Sequence, residues 1–556
     1  MTSAPAWRSR VFEALALTLL LVLTTPRATH AQSSAASSDG ASMLGLVPKP
    51  AQLVARTGRH VITRATVVHA APVFAAVARR FARDVADPFG FEPAVSTRSA
   101  TSAAGIHLRL QSSLPAEGYR LEVSPSQVII HASAPAGAFY ALETVKQLLP
   151  PAVYRRAPVP GTVWAIPAVS IEDAPRFSWR GAHLDGARHF MPKEFVRKYI
   201  DLLARHKLNR FHWHLTDDQG WRLEVKKYPR LTEVASCREA TVVGSHNTDP
   251  AKRVFDGRRH CGFYTQDDVR EIVAYAAERM ITVVPEVEMP GHVQAAITAY
   301  PFLSSRPDTT PGVMQVFGVS DFILAPSDSA VAFMQDVLRE VLTLFPSPWI
   351  HIGGDEADKK QWKASPAIQA RIKSLGLKDE HEMQSWFVRQ MDTFLSAQGR
   401  RMIGWDEILE GGLAEQATVM SWRGTSGGIA AAKAGHDVVM APAGYTYFDH
   451  RQSRDAREPL SIGGFTPLDS AYAFEPVPSE LSAAEAKHVL GAQGQLWSEY
   501  IPNPKHAEYM AFPRLSALSE VVWSRKERRN FNDFLRRLPS HLARLDAMDV
   551  NYRRLP

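Results

Sequence analysis

Asp355 and Glu356 stand side by side, directly after Trp349-Ile350-His351-Ile352-Gly353-Gly354. Two carboxyl groups this close cannot ionise independently, and one is pushed towards staying protonated at neutral pH. A proton donor beside a fixed anion is what cleavage of a glycosidic bond requires. The run 349–352 is short, apolar and preceded by Pro346 and Pro348, which predicts a buried strand. The two glycines let the backbone leave that strand in a conformation a Cβ would resist. The acids would then sit at the carboxyl end of a strand, where a parallel barrel keeps its chemistry. An Asp-Glu pair is also a common helix cap, so the rest of the chain has to decide.

From residue 176 onward, short apolar runs alternate with amphipathic ones. Strands are predicted at 181–184, 209–214, 282–285, 349–352, 401–405, 418–422, 437–440 and 491–496. Helices are predicted between several of them, at 193–206, 265–279, 329–345 and 385–398. Repeated βα units predict a (β/α)8 TIM barrel, a catalytic domain spanning 171–525. Polar residues gather where these strands end. Asp185, Arg188 and His189 follow the first, and Asp217, Asp218 and Arg222 the second. Glu286, Glu288 and His292 follow the third, and Asp355-Glu356 the fourth. Trp405-Asp406-Glu407 ends the fifth, and Trp422-Arg423 the sixth. Tyr447 and Asp449 follow the seventh, Trp497 and Glu499 the eighth. Eight such clusters on one face are hard to explain as caps. Indoles suit the apolar faces of a pyranose, and carboxylates and Arg suit its hydroxyl rim; Trp386, Trp405, Trp422 and Trp497 are the aromatic candidates.

Ahead of the barrel, 43–170 mixes alternating strands with two helical stretches, 75–85 and 136–149. This predicts a smaller α+β domain, with helices on one face of a mostly antiparallel sheet. No ionisable cluster in it looks catalytic. Residues 526–556 read as a closing helix and tail. At the start, Arg8 and Arg10 precede an apolar run over 11–23 and a small-residue site near Ala31, so 1–31 resembles an export signal and 32–42 a disordered linker. A periplasmic or extracellular protein is expected, without a stable membrane span. The formal net charge of +7 comes with no dense Lys/Arg tract, so no nucleic-acid partner is expected. Cys237 and Cys261 permit one disulfide in an exported chain, and separate thiols remain the alternative.

Several ordered motifs resemble glycoside hydrolase family 20, the exo-acting β-N-acetylhexosaminidases. They are Arg180-Gly181 with Leu184-Asp185 and Arg188-His189-Phe190, then the run from His212 through Asp217-Asp218 to Arg222, and Gly262-Phe263-Tyr264-Thr265. Pro285-Glu286-Val287-Glu288-Met289-Pro290-Gly291-His292, His351-Ile352-Gly353-Gly354-Asp355-Glu356 and Gln495-Leu496-Trp497-Ser498-Glu499 complete the set. The resemblance implies a retaining mechanism without a protein nucleophile. The substrate's own 2-acetamido oxygen attacks the anomeric carbon to give an oxazolinium intermediate. Asp355 would hold the acetamido N–H, and Glu356 would act as acid and then base. Tyr447 would donate to the acetamido oxygen. Trp386, Trp405 and Trp497 would wall the sugar, while Arg188, Glu499 and Asp449 would bind outer hydroxyls. Asp217 and His292 would support the carboxylates. The substrate implied is an oligosaccharide or glycoconjugate ending in N-acetylhexosamine, and no cofactor or metal is implied. Two rival readings stay open. A metal-dependent barrel hydrolase would use His212, His214, Asp217, His292 and His351; a non-catalytic amino-sugar-binding protein would keep only the Trp and Arg contacts.

Overall fold

The computed structural model describes residues 44–98 and 104–555. The expected export signal and linker lie outside the described residues.

The first unit is a seven-stranded sheet, with β1 (Gln52–Val61), β2 (Val67–Ala70), β3 (Ala94–Ser96), β4 (Gly105–Leu110), β5 (Tyr119–Val123), β6 (Gln127–Ala132) and β7 (Ala165–Asp173) in the order β1-β7-β5-β6-β4-β2-β3. Its β1-β7-β5-β6 half is antiparallel. Its β6-β4-β2-β3 half is parallel, so the sheet is mixed and the expectation of a mostly antiparallel one is corrected. The cause is helix α1 (Ala75–Phe89), which carries the chain from β2 back to a parallel β3 as a crossover connection. Helix α2 (Pro135–Leu148) packs beside α1 and against β5 and β6.

The second unit is a closed barrel of eight parallel strands: β8 (Trp179–Asp185), β9 (Arg210–His214), β10 (Thr282–Glu286), β11 (Trp349–His351), β12 (Arg401–Trp405), β13 (Thr418–Ser421), β14 (Val438–Met440) and β15 (Val489–Gly494). Each predicted strand run has its counterpart. The barrel strands are covered on both faces, and β8 is buried at every position although it carries Arg180, His183 and Asp185. Polar residues inside the barrel are confined to layers that hydrogen-bond to one another, described below.

The seam between the units is ionic. Arg180 on β8 is fully buried and forks onto Glu117, Nη2 to Oε1 at 2.7 Å and Nη1 to Oε2 at 3.0 Å. Lys207 meets Asp173 at 3.1 Å, and Trp523 Nε1 donates to the same carboxylate. The last helix, α3 (Phe531–Ala547), fastens the chain start to the barrel. Its Arg537 donates to Glu520 and to the carbonyl of Leu46, and its Arg544 to the carbonyls of Gly45 and Gln147.

Candidate active site

Strand β11 ends at His351, and the chain turns through Gly353 (φ +67°) and Gly354 (φ +94°). A Cβ on Gly353 would overlap the Glu288 carboxylate, and one on Gly354 would fall 2.6 Å from Ile408 Cγ2. The glycines are thus required by close approach as well as by backbone angle. Glu356 itself is held at φ +46° and His292 at φ +53°, a region that side chains seldom occupy.

The turn delivers Asp355 and Glu356 to a cavity of about 300 Å³ at the carboxyl ends of the strands. Arg188, His292, Tyr447, Asp449, Trp497 and Glu499 line the same cavity, so the two acids share one pocket with the tyrosine and tryptophan expected to work with them. The volume lies at the small end for ligand sites, the scale of a single sugar unit. Tyr447, Trp422 and Trp497 supply its aromatic surface, with the Trp422 and Tyr447 rings near-parallel at 6.1 Å and the Tyr447 and Trp497 rings 6.3 Å apart.

Several buried carboxylate oxygens that border this cavity lack a well-formed hydrogen bond: Asp355 Oδ1, both oxygens of Asp449, and Glu499 Oε2. Buried acceptors are rarely left so. Burial drives up the pKa of each group: Asp355 to about 6, Glu499 to about 7, and Asp449 well above the carboxylate range. A ligand offering several neutral O–H and N–H donors would satisfy them.

The acid pair divides differently from a symmetric dyad. Asp355 holds the raised pKa, whereas Glu356 is lowered, first by its hydrogen bond to His292 and then by the charge of that ring. His292 Nε2 lies 3.4 Å from Glu356 and 3.7 Å from Asp355; its Nδ1 lies 3.3 Å from Asp217 and from Asp218. Burial opposes the charge on His292, but Asp217 and Asp355 outweigh it and hold its pKa well above normal. Of the two acids Asp355 therefore binds a proton more readily, and does so below about pH 6, while the imidazolium faces Glu356. Glu288, beside Asp355, has its pKa driven upward by burial and by that neighbour.

Arg188 is fixed from below. Its Nη2 pairs with Asp217 at 2.7 Å, its Nε donates to Gln219 Oε1 at 3.1 Å, and its guanidinium lies 5.0 Å from the Trp497 ring centre. Removing one partner of such a buried pair strands the other. Arg188→Ala is therefore expected to cost about 3–5 kcal/mol of stability, seen as a fall in Tm of several degrees; an unchanged Tm would show that Asp217 does not depend on it.

Under the cavity floor lies Glu286. His212 (3.1 Å), His214 (2.5 Å) and His351 (2.8 Å) surround its carboxylate, and Trp405 Nε1 donates to it at 2.8 Å. These charges outweigh burial and hold Glu286 well below its usual pKa, while Glu286 and Asp217 lift His214 to about 10. The histidines considered as metal ligands thus divide between Glu286 and Asp217 and do not meet at one point. They fall in overlapping triads, sharing Glu286, His214, Asp217 and His292, that could each offer three ligand atoms.

Two aromatic expectations need revision. Trp386 is not a wall of the cavity; it sits on the helix Glu380–Ala397, packed near Ile372 and Met383 with Arg371 4.9 Å from its ring centre. Trp405 is fully buried one layer down, its ring 5.6 Å from that of Trp497, so it backs the wall without lining it. Asp217 is likewise buried behind Arg188 and His292. Trp422, just past β13, lines the cavity instead, steered by Nε1–H donation to Glu407 Oε2 at 2.9 Å. Its place one residue beyond a strand end was the available signal. Trp422 was among the aromatic candidates, whereas sequence reasoning missed His246, His450 and Val319, which reach the cavity from loops without any motif. Cys237 and Cys261 are bonded, closing one of those loops.

Comparison with known proteins agrees with this geometry. "Glycosyl hydrolase family 20, catalytic domain" matches residues 177–526, and "Glycosyl hydrolase family 20, domain 2" matches 43–174. A β-hexosaminidase of Porphyromonas gingivalis is 47% identical over 458 residues, 81% of this chain, which spans only 56% of that relative's length. A β-hexosaminidase of Vibrio furnissii is 35% identical over 508 residues, 90% of this chain and 80% of its own. Among solved structures, a GH20 exo-β-N-acetylglucosaminidase from Vibrio harveyi, in complex with N-acetylglucosamine, superposes with a TM-score of 0.81 at 34% identity, covering 92% of this chain and 78% of that one. The GH20 β-N-acetylhexosaminidase of Streptomyces coelicolor gives 0.79 at 31%, covering 92% and 98%.

Proposed function

This chain belongs to glycosyl hydrolase family 20, and from that premise we propose that it is an exo-acting β-N-acetylhexosaminidase. It removes terminal N-acetylhexosamine from the non-reducing ends of oligosaccharides or glycoconjugates, with retention and with the acetamide of the substrate as nucleophile. The observation that carries this reading is the set of unsatisfied carboxylate oxygens around one aromatic-walled cavity. A sugar with an N–H and several hydroxyls supplies the missing donors.

The acetamido N–H donates to Asp355, which favours the ionised form of that carboxylate and balances the positive charge of the oxazolinium. Tyr447, whose phenol burial keeps protonated, donates to the acetamido oxygen. The sugar also covers Glu356, and loss of water raises its pKa. The proton that the pair binds on Asp355 in the free enzyme therefore belongs on Glu356 in the complex, beside the leaving oxygen. Glu356 gives up that proton as the glycosidic bond breaks. As carboxylate it then takes a proton from the water that opens the intermediate. Arg188, Asp449 and Glu499 hold the outer hydroxyls, and Trp422 and Trp497 the ring faces. His292, backed by Asp217, stabilises the carboxylate form of Glu356 between the two steps.

The export-like start and the Cys237–Cys261 bond support a periplasmic or extracellular location. Among the described residues, no helix is long and apolar enough to cross a membrane.

The pair needs one proton in total, and the group that holds it in the free enzyme is lifted to about 6. That proton is present below this value and lost above it. The alkaline limb of kcat/KM, which reports the free enzyme, is thus expected near pH 6. A flat kcat/KM from pH 6 to 8 would contradict it. The reading itself is tested by hydrolysis of an aryl N-acetyl-β-glucosaminide. EDTA is expected to leave the rate unchanged, whereas a metal-dependent hydrolase would lose it.

A further inference from the structure

The loop from Cys237 to Cys261 is closed at its base twice, by the disulfide and by strand pairing of Cys237–Arg238 with His260–Cys261. Both flanking residues grip the segment that carries Arg188. Arg238 Nη1 donates to the Arg188 carbonyl at 2.6 Å, and His260 Nε2 accepts from the Phe190 N–H at 3.0 Å. Higher up, Val242 pairs with Phe255 and Val243 with Val254. The tip is held by Arg253, which donates to the carbonyls of Thr248 and His246. A loop anchored at three levels can present a side chain at a fixed position.

That side chain is His246, which lines the sugar cavity. Its backbone N–H donates to the Tyr500 hydroxyl at 2.7 Å, and the hydroxyl in turn meets Nδ1 at 3.0 Å. Tyr500 directly follows Glu499, and its ring lies 5.3 Å from Phe317, whose neighbours Gly318 and Val319 line the cavity too. The Val242 N–H donates to the Gln315 carbonyl at 2.8 Å, which ties this second loop to the first.

We propose that the disulfide-closed loop is the end stop of the cavity: His246, seated on Tyr500, forms the wall that rejects a sugar already substituted on an outer hydroxyl. This rests on the hexosaminidase reading, which places those hydroxyls against Arg188 and Glu499. The wall is seated on Tyr500, next in the chain to Glu499, so a substituent on a hydroxyl held by Glu499 would meet it. It gives a concrete cause for action at chain ends only. The catalytic acids do not impose that restriction, and the loop that does carries none of them.

The test compares an aryl N-acetyl-β-glucosaminide with its 4-O-methyl derivative, in wild type, in His246→Ala and in an enzyme whose 245–252 segment is replaced by two glycines. The ratio of kcat/KM for the methylated over the parent substrate is expected to rise at least about fivefold in both variants, a change of about 1 kcal/mol. A ratio within twofold of wild type in either variant overturns the proposal, and His246→Ala alone decides it if the shortened loop does not fold. Wild type that fails to hydrolyse the parent substrate would instead overturn the hexosaminidase reading.

Discussion

Glu356→Gln lowers kcat/KM on a disaccharide of N-acetylglucosamine by about 10²–10⁴, the range for loss of a general acid. The size of the loss depends on what leaves. A sugar alkoxide is a poor leaving group and departs only with a proton, whereas a dinitrophenolate departs without one. On a dinitrophenyl substrate the same variant therefore forms its intermediate at a rate close to wild type. Turnover is then limited by water attack, because the carboxylate that activated the water is gone. The expected signature is a burst of dinitrophenol followed by a slow phase. Equal losses on both substrates, without a burst, would mean that Glu356 positions the sugar and does not transfer its proton.

The largest effect expected is on the substrate side. Exchanging the 2-acetamido group for hydroxyl removes the nucleophile itself, and turnover falls by at least about 10⁴. A well-oriented internal nucleophile has an effective molarity of about 10⁵–10⁸ M, and nothing else in the cavity is placed to replace it. Asp355 is the alternative worth weighing, but its pKa of about 6 and its contact with His292 suit a group that accepts an N–H. Plain glucosides hydrolysed at rates near those of the N-acetyl compounds would establish a protein nucleophile. Trifluoroacetamido substrates sharpen the test, since fluorine withdraws electrons from the attacking oxygen and the rate falls if that oxygen attacks.

The eight barrel strands were legible because short, largely apolar runs recur between amphipathic stretches, and because polar residues gather beyond the same end of each run. The small unit was less so. Strand β1 is mostly exposed, and its Gln-Leu-Val-Ala-Arg-Thr-Gly-Arg-His-Val shows no alternation. Strand β7 carries Pro167 and runs through the boundary that composition suggested at residue 170. Motif reading brought Asp355, Glu356, Arg188, His292, Tyr447, Asp449, Trp497 and Glu499 to one cavity because each lies in the segment beyond the carboxyl end of a barrel strand. Trp386 failed because it lies on a helix, where rotation by one residue turns a ring by about 100°. Which of the adjacent acids carries the proton was also hidden. That depends on the depth of Asp355 and on the reach of His292, both set by residues far away in the sequence.

The buried forks at the seam, Arg180 on Glu117 and Lys207 on Asp173, bear on how this enzyme can be engineered. Grafting on a small unit from a relative that lacks those acids would bury two cations with no counter-charge. Chimeras in this family should therefore exchange both partners of each fork together.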